Sequence, residues 1–236
     1  MCFNFHHLKV DYKNGDKWAL MPADHLALKK LFQTCQEGMQ AHDGWNALFW
    51  CNHDQPRAVS RFGSDTAYWK ESAKMLATAI HFMRGTPYIY QGEELGMTNA
   101  LYAIEDYRDI ETRNMYRERL EKGYDEADII ASIHAKGRDN ARTPMQWDAS
   151  ENAGFTQGIP WLRVNPNYKE INAASQLYDE NSIFACYKKL IRLRKTWDVF
   201  VDGTFRMLLE DDENFFAYQR ENVFRKLLVI CNFFGC

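Results

Sequence analysis

The amino-acid sequence predicts an α/β fold in which a parallel sheet with crossover helices gives way to an antiparallel β meander. Three features point there. Short apolar runs at residues 3–6, 45–51 and 88–90 alternate with two stretches of helical periodicity, a β-α-β-α-β order suited to parallel strands joined by helices. The middle run stops at the polar cluster Asn52-His53-Asp54-Gln55-Pro56-Arg57, as a buried parallel strand does when it presents polar groups at its C-terminal end. The chain then closes with three short strand patterns at 204–209, 215–220 and 226–233. The turn sequence Glu210-Asp211-Asp212-Glu213-Asn214 separates the first two.

Taken in order, Phe3-Asn4-Phe5-His6 reads as a short strand opening into a polar loop over 9–17. Pro22 and Asp24 start a helix with Leu28, Leu31, Phe32, Cys35 and Met39 on one face; Gly38 and the His42-Asp43-Gly44 turn end it. The strand over 45–51 follows, then a helix carrying Ala73, Leu76, Ala77, Ile80 and Met83 and closed by Gly85. The strand over 88–90 runs out into Gln91-Gly92-Glu93-Glu94. From about 98 to 166 the chain is polar, with helical patterns at 110–120 and 125–135 and a loop over 142–161. That is too long for a plain connection, so it predicts an excursion with small helices of its own. Asn181 or Ser182 then opens an amphipathic helix bearing Ile183, Phe184, Tyr187, Leu190, Ile191 and Arg194. There is no internal repeat.

With 236 residues, 46% of them hydrophobic, the chain is long enough for one sizeable core. A formal charge of −3 leaves no electrostatic footprint for nucleic acid or an anionic membrane, and neither is expected as a partner. No apolar run approaches the ~20 residues of a membrane helix, and Met1-Cys2-Phe3-Asn4 lacks the basic and apolar regions of a signal peptide. Seven Trp, twelve Tyr and fifteen Phe suit sugar stacking and ordinary core alike. The six cysteines, at 2, 35, 51, 186, 231 and 236, show no Cys-x-x-Cys pairing, which points to reduced thiols and a cytoplasmic protein. Nothing has zinc or phosphate-loop spacing, so neither metal nor cofactor is expected.

An ionised carboxylate at the mouth of a buried strand is costly unless it has a partner or a task, which makes Asp54 a site candidate. On spacing alone, Asp54 serves equally as a cap for the next turn or as a partner of Arg57 or Arg61. Strict strand alternation points His53 and Asp54 to opposite faces; both reach one site only if the strand has already broken there. Glu93 and Glu94 are adjacent and also point apart, so they read as anchors of their loop rather than a catalytic pair. His81, among apolar residues on a helix, reads as a satisfied core histidine.

Three segments carry a family resemblance. Asn52 to Arg57, continued by Ala58-Val59-Ser60-Arg61-Phe62-Gly63, resembles the fourth shared motif of the α-amylase family of glycoside hydrolases. Thr86-Pro87-Tyr88-Ile89-Tyr90-Gln91-Gly92-Glu93-Glu94 and Arg138-Asp139-Asn140-Ala141-Arg142-Thr143-Pro144-Met145-Gln146-Trp147 resemble the branch that holds oligo-1,6-glucosidases and trehalose-6-phosphate hydrolases. The resemblance implies a (β/α)8 TIM barrel, which needs eight strands and typically about 250 residues. Three βα units and a helical excursion make up 1–197, so the chain is expected to be the C-terminal part of such a barrel. The start of the family's antiparallel β domain follows over 198–236.

The resemblance also assigns roles. Asp54 matches the family carboxylate that holds the sugar ring in its distorted, transition-state-like form; His53 and Arg142 match residues that bind the same glucose. Arg142 reads alternatively as a surface arginine paired with Asp139, and Arg57 as a group that orients Asp54 or lines the site. Retaining hydrolysis also needs a nucleophile and an acid about 5–5.5 Å apart. In the family these come from the fourth and fifth strands, so both are expected to lie outside this sequence.

In the first loop, oligo-1,6-glucosidases carry acidic residues where His6 and Lys9 stand, whereas trehalose-6-phosphate hydrolases share the His-His-Leu-Lys pattern. A phosphate dianion favours Lys and His over carboxylates; a solvated basic loop is the plainer reading, and Lys17 is a reserve candidate. The expected activity is cleavage of trehalose 6-phosphate to glucose and glucose 6-phosphate with retention, by a longer enzyme, with a sugar or sugar phosphate as the partner. Oligo-1,6-glucosidase and a truncated, non-catalytic remnant are the alternatives.

Overall fold

The computed structural model describes residues 1–233. Three short strands, β1 (Cys2–Phe3), β2 (Asn46–Leu48) and β3 (Thr86–Pro87), form a parallel sheet in that order. Helix α1 (His25–Ala41) crosses from β1 to β2, and α2 (Ala58–Phe62) and α3 (Trp69–His81) cross from β2 to β3. The expected β-α-β-α-β order is therefore present, with one short extra helix that no periodicity announced.

The ladders are shorter than the apolar runs. Only Asn46–Leu48 pairs within the run 45–51, and β3 lies just before the expected 88–90. Apolarity reports burial, whereas pairing needs a neighbour in register. Pro87 has no N–H to give, and beyond it one bond remains, from Tyr88 N to Leu48 O at 2.7 Å. Residues Phe49, Trp50 and Cys51 are buried all the same, with the Trp50 indole donating to Leu76 O at 2.8 Å. The stretch from His6 to Lys9 forms a 3-10 turn rather than extending the first strand.

Asp24 caps α1 by accepting from Ala27 N. The helix runs through Gly38 and stops only at the following turn, where Asp43 takes φ 51° and a Cβ on Gly44 would strike Met39. A glycine weakens a helix interior without ending it.

The polar excursion holds α4 (Ile110–Glu121), α5 (Glu126–Lys136), α6 (Asp139–Arg142) and α7 (Ala173–Gln176). Trp18, Tyr102, Tyr107, Met115, Ile129 and Ile133 give α4 and α5 a small core of their own. The amphipathic helix α8 (Ile183–Thr196), capped by Ser182, packs Ile183, Tyr187 and Leu190 against Val59, Ala73 and Ala77. After it, β4 (Thr204–Leu208), β5 (Phe215–Glu221) and β6 (Lys226–Asn232) form the antiparallel meander. The inner face of this meander, with Phe205, Phe216, Tyr218 and Val229, joins Leu28, Phe32, Trp50 and Leu76 in a single apolar cluster. The core thus continues from the parallel sheet into the antiparallel meander. Residues 234–236, including Cys236, lie outside the described residues.

Candidate active site

The polar cluster begins where β2 loses its partners. Asn52 turns the chain: its Oδ1 accepts from Asp54 N at 2.8 Å, and its carbonyl accepts from Gln55 N at 3.1 Å. The strand has broken, so alternation no longer applies and His53 and Asp54 rise together. His53 Nε2 lies 3.3 Å from Asp54 Oδ2, and the Asp54 side chain remains 45% exposed. A carboxylate kept open to this degree is not a buried cap.

Arg142 reaches Asp54 from the end of α6. Its Nη2 stands 2.7 Å from Asp54 Oδ1, and its Nε donates to the His53 carbonyl at 2.8 Å. Asp139 is a distant third partner, at 3.9 Å. Arg138 approaches from the other side, with Nη1 3.6 Å from the same Asp54 oxygen. Three of the candidates named from sequence, His53, Asp54 and Arg142, thus meet at the C-terminal edge of the parallel sheet.

Arg57 does not join them. It is 2% exposed and points into the interior. Its guanidinium donates to Asn140 O at 3.0 Å, Gln91 O at 2.6 Å and Thr143 Oγ1 at 3.2 Å, and its own N–H donates to Asn99 Oδ1. The expectation that Arg57 lines the site or orients Asp54 is therefore corrected. Pro56 aims the chain inward, and the guanidinium becomes a strut between the exits of β2 and β3 and the segment carrying Arg142. Nor does Arg61 pair with Asp54; it binds Asp11 at 2.7 Å and Gln55 at 2.6 Å.

His6 and Lys9 lie apart from the Asp54 cluster. Both are exposed, and with Cys2, Phe3, Phe5 and Cys35 they line a groove beside β1 and α1. The His6 ring is 2.7 Å from Asn4 Oδ1. The loop that follows is tied down by Asp11, which is buried and paired with Arg61 and Lys136. Burial, and then the neighbouring Arg61, depress Lys136 to about 8. Lys17, the reserve candidate, pairs with Glu111 at 2.8 Å.

Sequence reasoning missed the carboxylates behind the arginines. Asp109 is 4% exposed and caps α4. Its Oδ1 takes Arg138 Nη2 at 2.7 Å and Arg142 Nη1 at 3.3 Å, and Glu111 Oε2 lies 3.2 Å from Arg138 Nε as an ion pair without a hydrogen bond. Burial works against its charge, but the bonds from Arg138 and Thr112 win and hold the Asp109 carboxyl below the ordinary range. The available signal was an Asp at the helix start, which reads as a cap and nothing more.

Beneath the site, Glu93 accepts from the Tyr187 hydroxyl at 3.1 Å while its Oε2 is buried without a partner. Burial pushes its carboxyl up to about 7. It anchors the loop against α8. His81 lies in the core as expected but is only half satisfied: its Nδ1 is 2.8 Å from Ala77 O, its Nε2 is buried without a partner, and burial lowers it to about 4.

The alpha-amylase catalytic domain model matches residues 1–203. The chain belongs to the α-amylase family. It is 60% identical over 236 residues to the trehalose-6-phosphate hydrolase of Bacillus subtilis, which matches all of this chain and 42% of that enzyme. It is 56% identical to the oligo-1,6-glucosidase of Halalkalibacterium halodurans, again over 42% of that enzyme. The crystal structure of trehalose-6-phosphate hydrolase from Bacillus licheniformis superposes with a TM-score of 0.97 at 59% identity, covering 99% of this chain and 42% of that one. The chain thus spans about two fifths of the length of these α-amylase-family relatives, whose fold is the TIM barrel. A single carboxylate cradled by two guanidiniums and an imidazole can fix sugar hydroxyls and offset developing positive charge.

Proposed function

We propose that this chain is the C-terminal part of an α-glucosidase-type hydrolase that cleaves trehalose 6-phosphate to glucose and glucose 6-phosphate with retention. The observation that carries this reading is the exposed Asp54 carboxylate, set between Arg142 and His53 at the sheet's C-terminal edge in a chain 60% identical to a trehalose-6-phosphate hydrolase. Asp54 opposes the charge of the oxocarbenium-like transition state, and His53 and Arg142 bind the same sugar ring. Lys9 and His6, on the first loop, favour the phosphate. Residues 1–197 supply about three βα units of the barrel and 198–236 open the β domain. Nucleophile and general acid come from elsewhere in the complete enzyme, which is cytoplasmic. The three parallel strands support this division, since three strands cannot close a barrel.

Purified complete enzyme is expected to turn over trehalose 6-phosphate with a higher kcat/KM than isomaltose. The 236-residue chain alone is expected to cleave neither trehalose 6-phosphate nor p-nitrophenyl α-glucoside. Preference for isomaltose would favour the oligo-1,6-glucosidase reading, and turnover by the isolated chain would overturn the placement of the missing carboxylates.

A further inference from the structure

We propose that Asp109 is a positioning residue that holds Arg138 and Arg142 in the arrangement in which they meet Asp54. The inference rests on the reading of Asp54 given above and assigns a part to a buried carboxylate outside the recognised motifs. Two guanidiniums converging on one half-exposed carboxylate repel each other, and each has a long, flexible side chain. Something must hold the second arginine in place and offset that repulsion.

The two oxygens of Asp109 divide the work. Oδ2 accepts from Thr112 N at 3.0 Å and Thr112 Oγ1 at 2.9 Å, which is the helix cap. Oδ1 faces the other way and is shared by Arg138 at 2.7 Å and Arg142 at 3.3 Å. The same Arg142 guanidinium reaches Asp54 through its other terminal nitrogen, so Asp109 and Asp54 grip it from two sides. Asp109 is itself fixed by Asp139, whose Oδ2 accepts from Arg108 N at 2.7 Å and Asp109 N at 2.8 Å. Since Asp139 begins α6 and Arg142 ends it, the carboxylate and the arginine it holds are tied to one frame.

This division of labour makes the two roles separable. Asparagine caps a helix as well as aspartate does, through one acceptor oxygen. The atom turned toward the arginines is then an NH2 group, a donor facing donors. Asp109→Asn in the complete enzyme is therefore expected to stay folded with its helix cap intact, at some cost in unfolding midpoint from the lost ion pairs, while kcat/KM for a neutral aryl α-glucoside, assayed well below that midpoint, falls about tenfold or more. On an Arg138→Lys, Arg142→Lys background, the same substitution is expected to cost about threefold or less, because both groups it misplaces are already gone. Full activity in Asp109→Asn would reduce Asp109 to a cap and overturn the inference. So would an equal loss on both backgrounds. Asp54→Asn, assayed alongside, separates the two levels: if it is fully active the functional reading fails. If it is inactive while Asp109→Asn is normal, only this inference fails.

Discussion

Arg142 Nη2 lies 2.7 Å from Asp54 Oδ1, a contact between residues 88 positions apart in the sequence. The pair is partly open to solvent, and its geometry is held from behind by buried groups. As a carboxylate, Asp54 can oppose a developing positive charge. Asp54→Asn preserves shape and removes that charge. In the complete enzyme kcat should fall about a hundredfold or more, the range seen when one electrostatic stabiliser is lost. A steady-state assay giving nearly normal kcat would return Asp54 to a structural part.

Arg57 gives the opposite expectation. Its guanidinium serves three acceptors in the interior, on Gln91, Asn140 and Thr143. A lysine ammonium cannot span all three from one point, and each acceptor left unmet costs roughly 1–3 kcal/mol. Arg57→Lys should therefore lower stability by about 2–4 kcal/mol in denaturant unfolding. A raised KM with an unchanged unfolding midpoint would place Arg57 on the substrate after all.

Glu93 makes stability depend on pH. Unfolded, its carboxyl titrates near 4.5; folded, burial raises it to about 7. Between those values the folded chain holds a proton that the unfolded chain has released, so stability falls as pH rises through the window and levels off above it. The loss amounts to up to about 3 kcal/mol. Glu93→Gln still accepts from Tyr187 and has no proton to lose. Its stability relative to wild type should improve between pH 5 and pH 8, as read from unfolding curves at each pH. A difference that stays flat across that range would mean Glu93 is ionised in the folded protein.

Lys9 carries the phosphate preference in the proposed reading. Lys9→Ala in the complete enzyme should raise KM for trehalose 6-phosphate and leave hydrolysis of a neutral aryl α-glucoside almost unchanged. A charge-assisted hydrogen bond is worth roughly 1.5–3 kcal/mol, so kcat/KM should drop about ten- to a hundredfold on the phosphorylated substrate alone. The preference should also weaken as salt rises, because Lys9 is exposed. Equal damage to both substrates would make Lys9 structural, and no damage to either would reopen the oligo-1,6-glucosidase reading.

The sequence by itself determined what depends on local chemistry. Asp24 and Ser182 set helix starts, since a cap bonds to amides within the next turn. Three short strand patterns with a polar turn between the first two marked the meander, since turn residues punctuate strands locally. The motif around Asp54 and the later Arg142 were legible as parts of one site because they match a family. Tertiary structure alone decided the rest. Which residues of the run 45–51 pair, where β3 begins, and that Arg57 turns inward while Arg142 turns out all depend on partners distant in sequence. The same holds for Asp109: one of its oxygens obeys the local rule for a helix cap, and the other answers to two arginines that only folding brings within reach. Short-range hydrogen bonds are written into neighbouring residues. The direction of a long charged side chain is set by whichever counter-charge and acceptors the packed fold supplies.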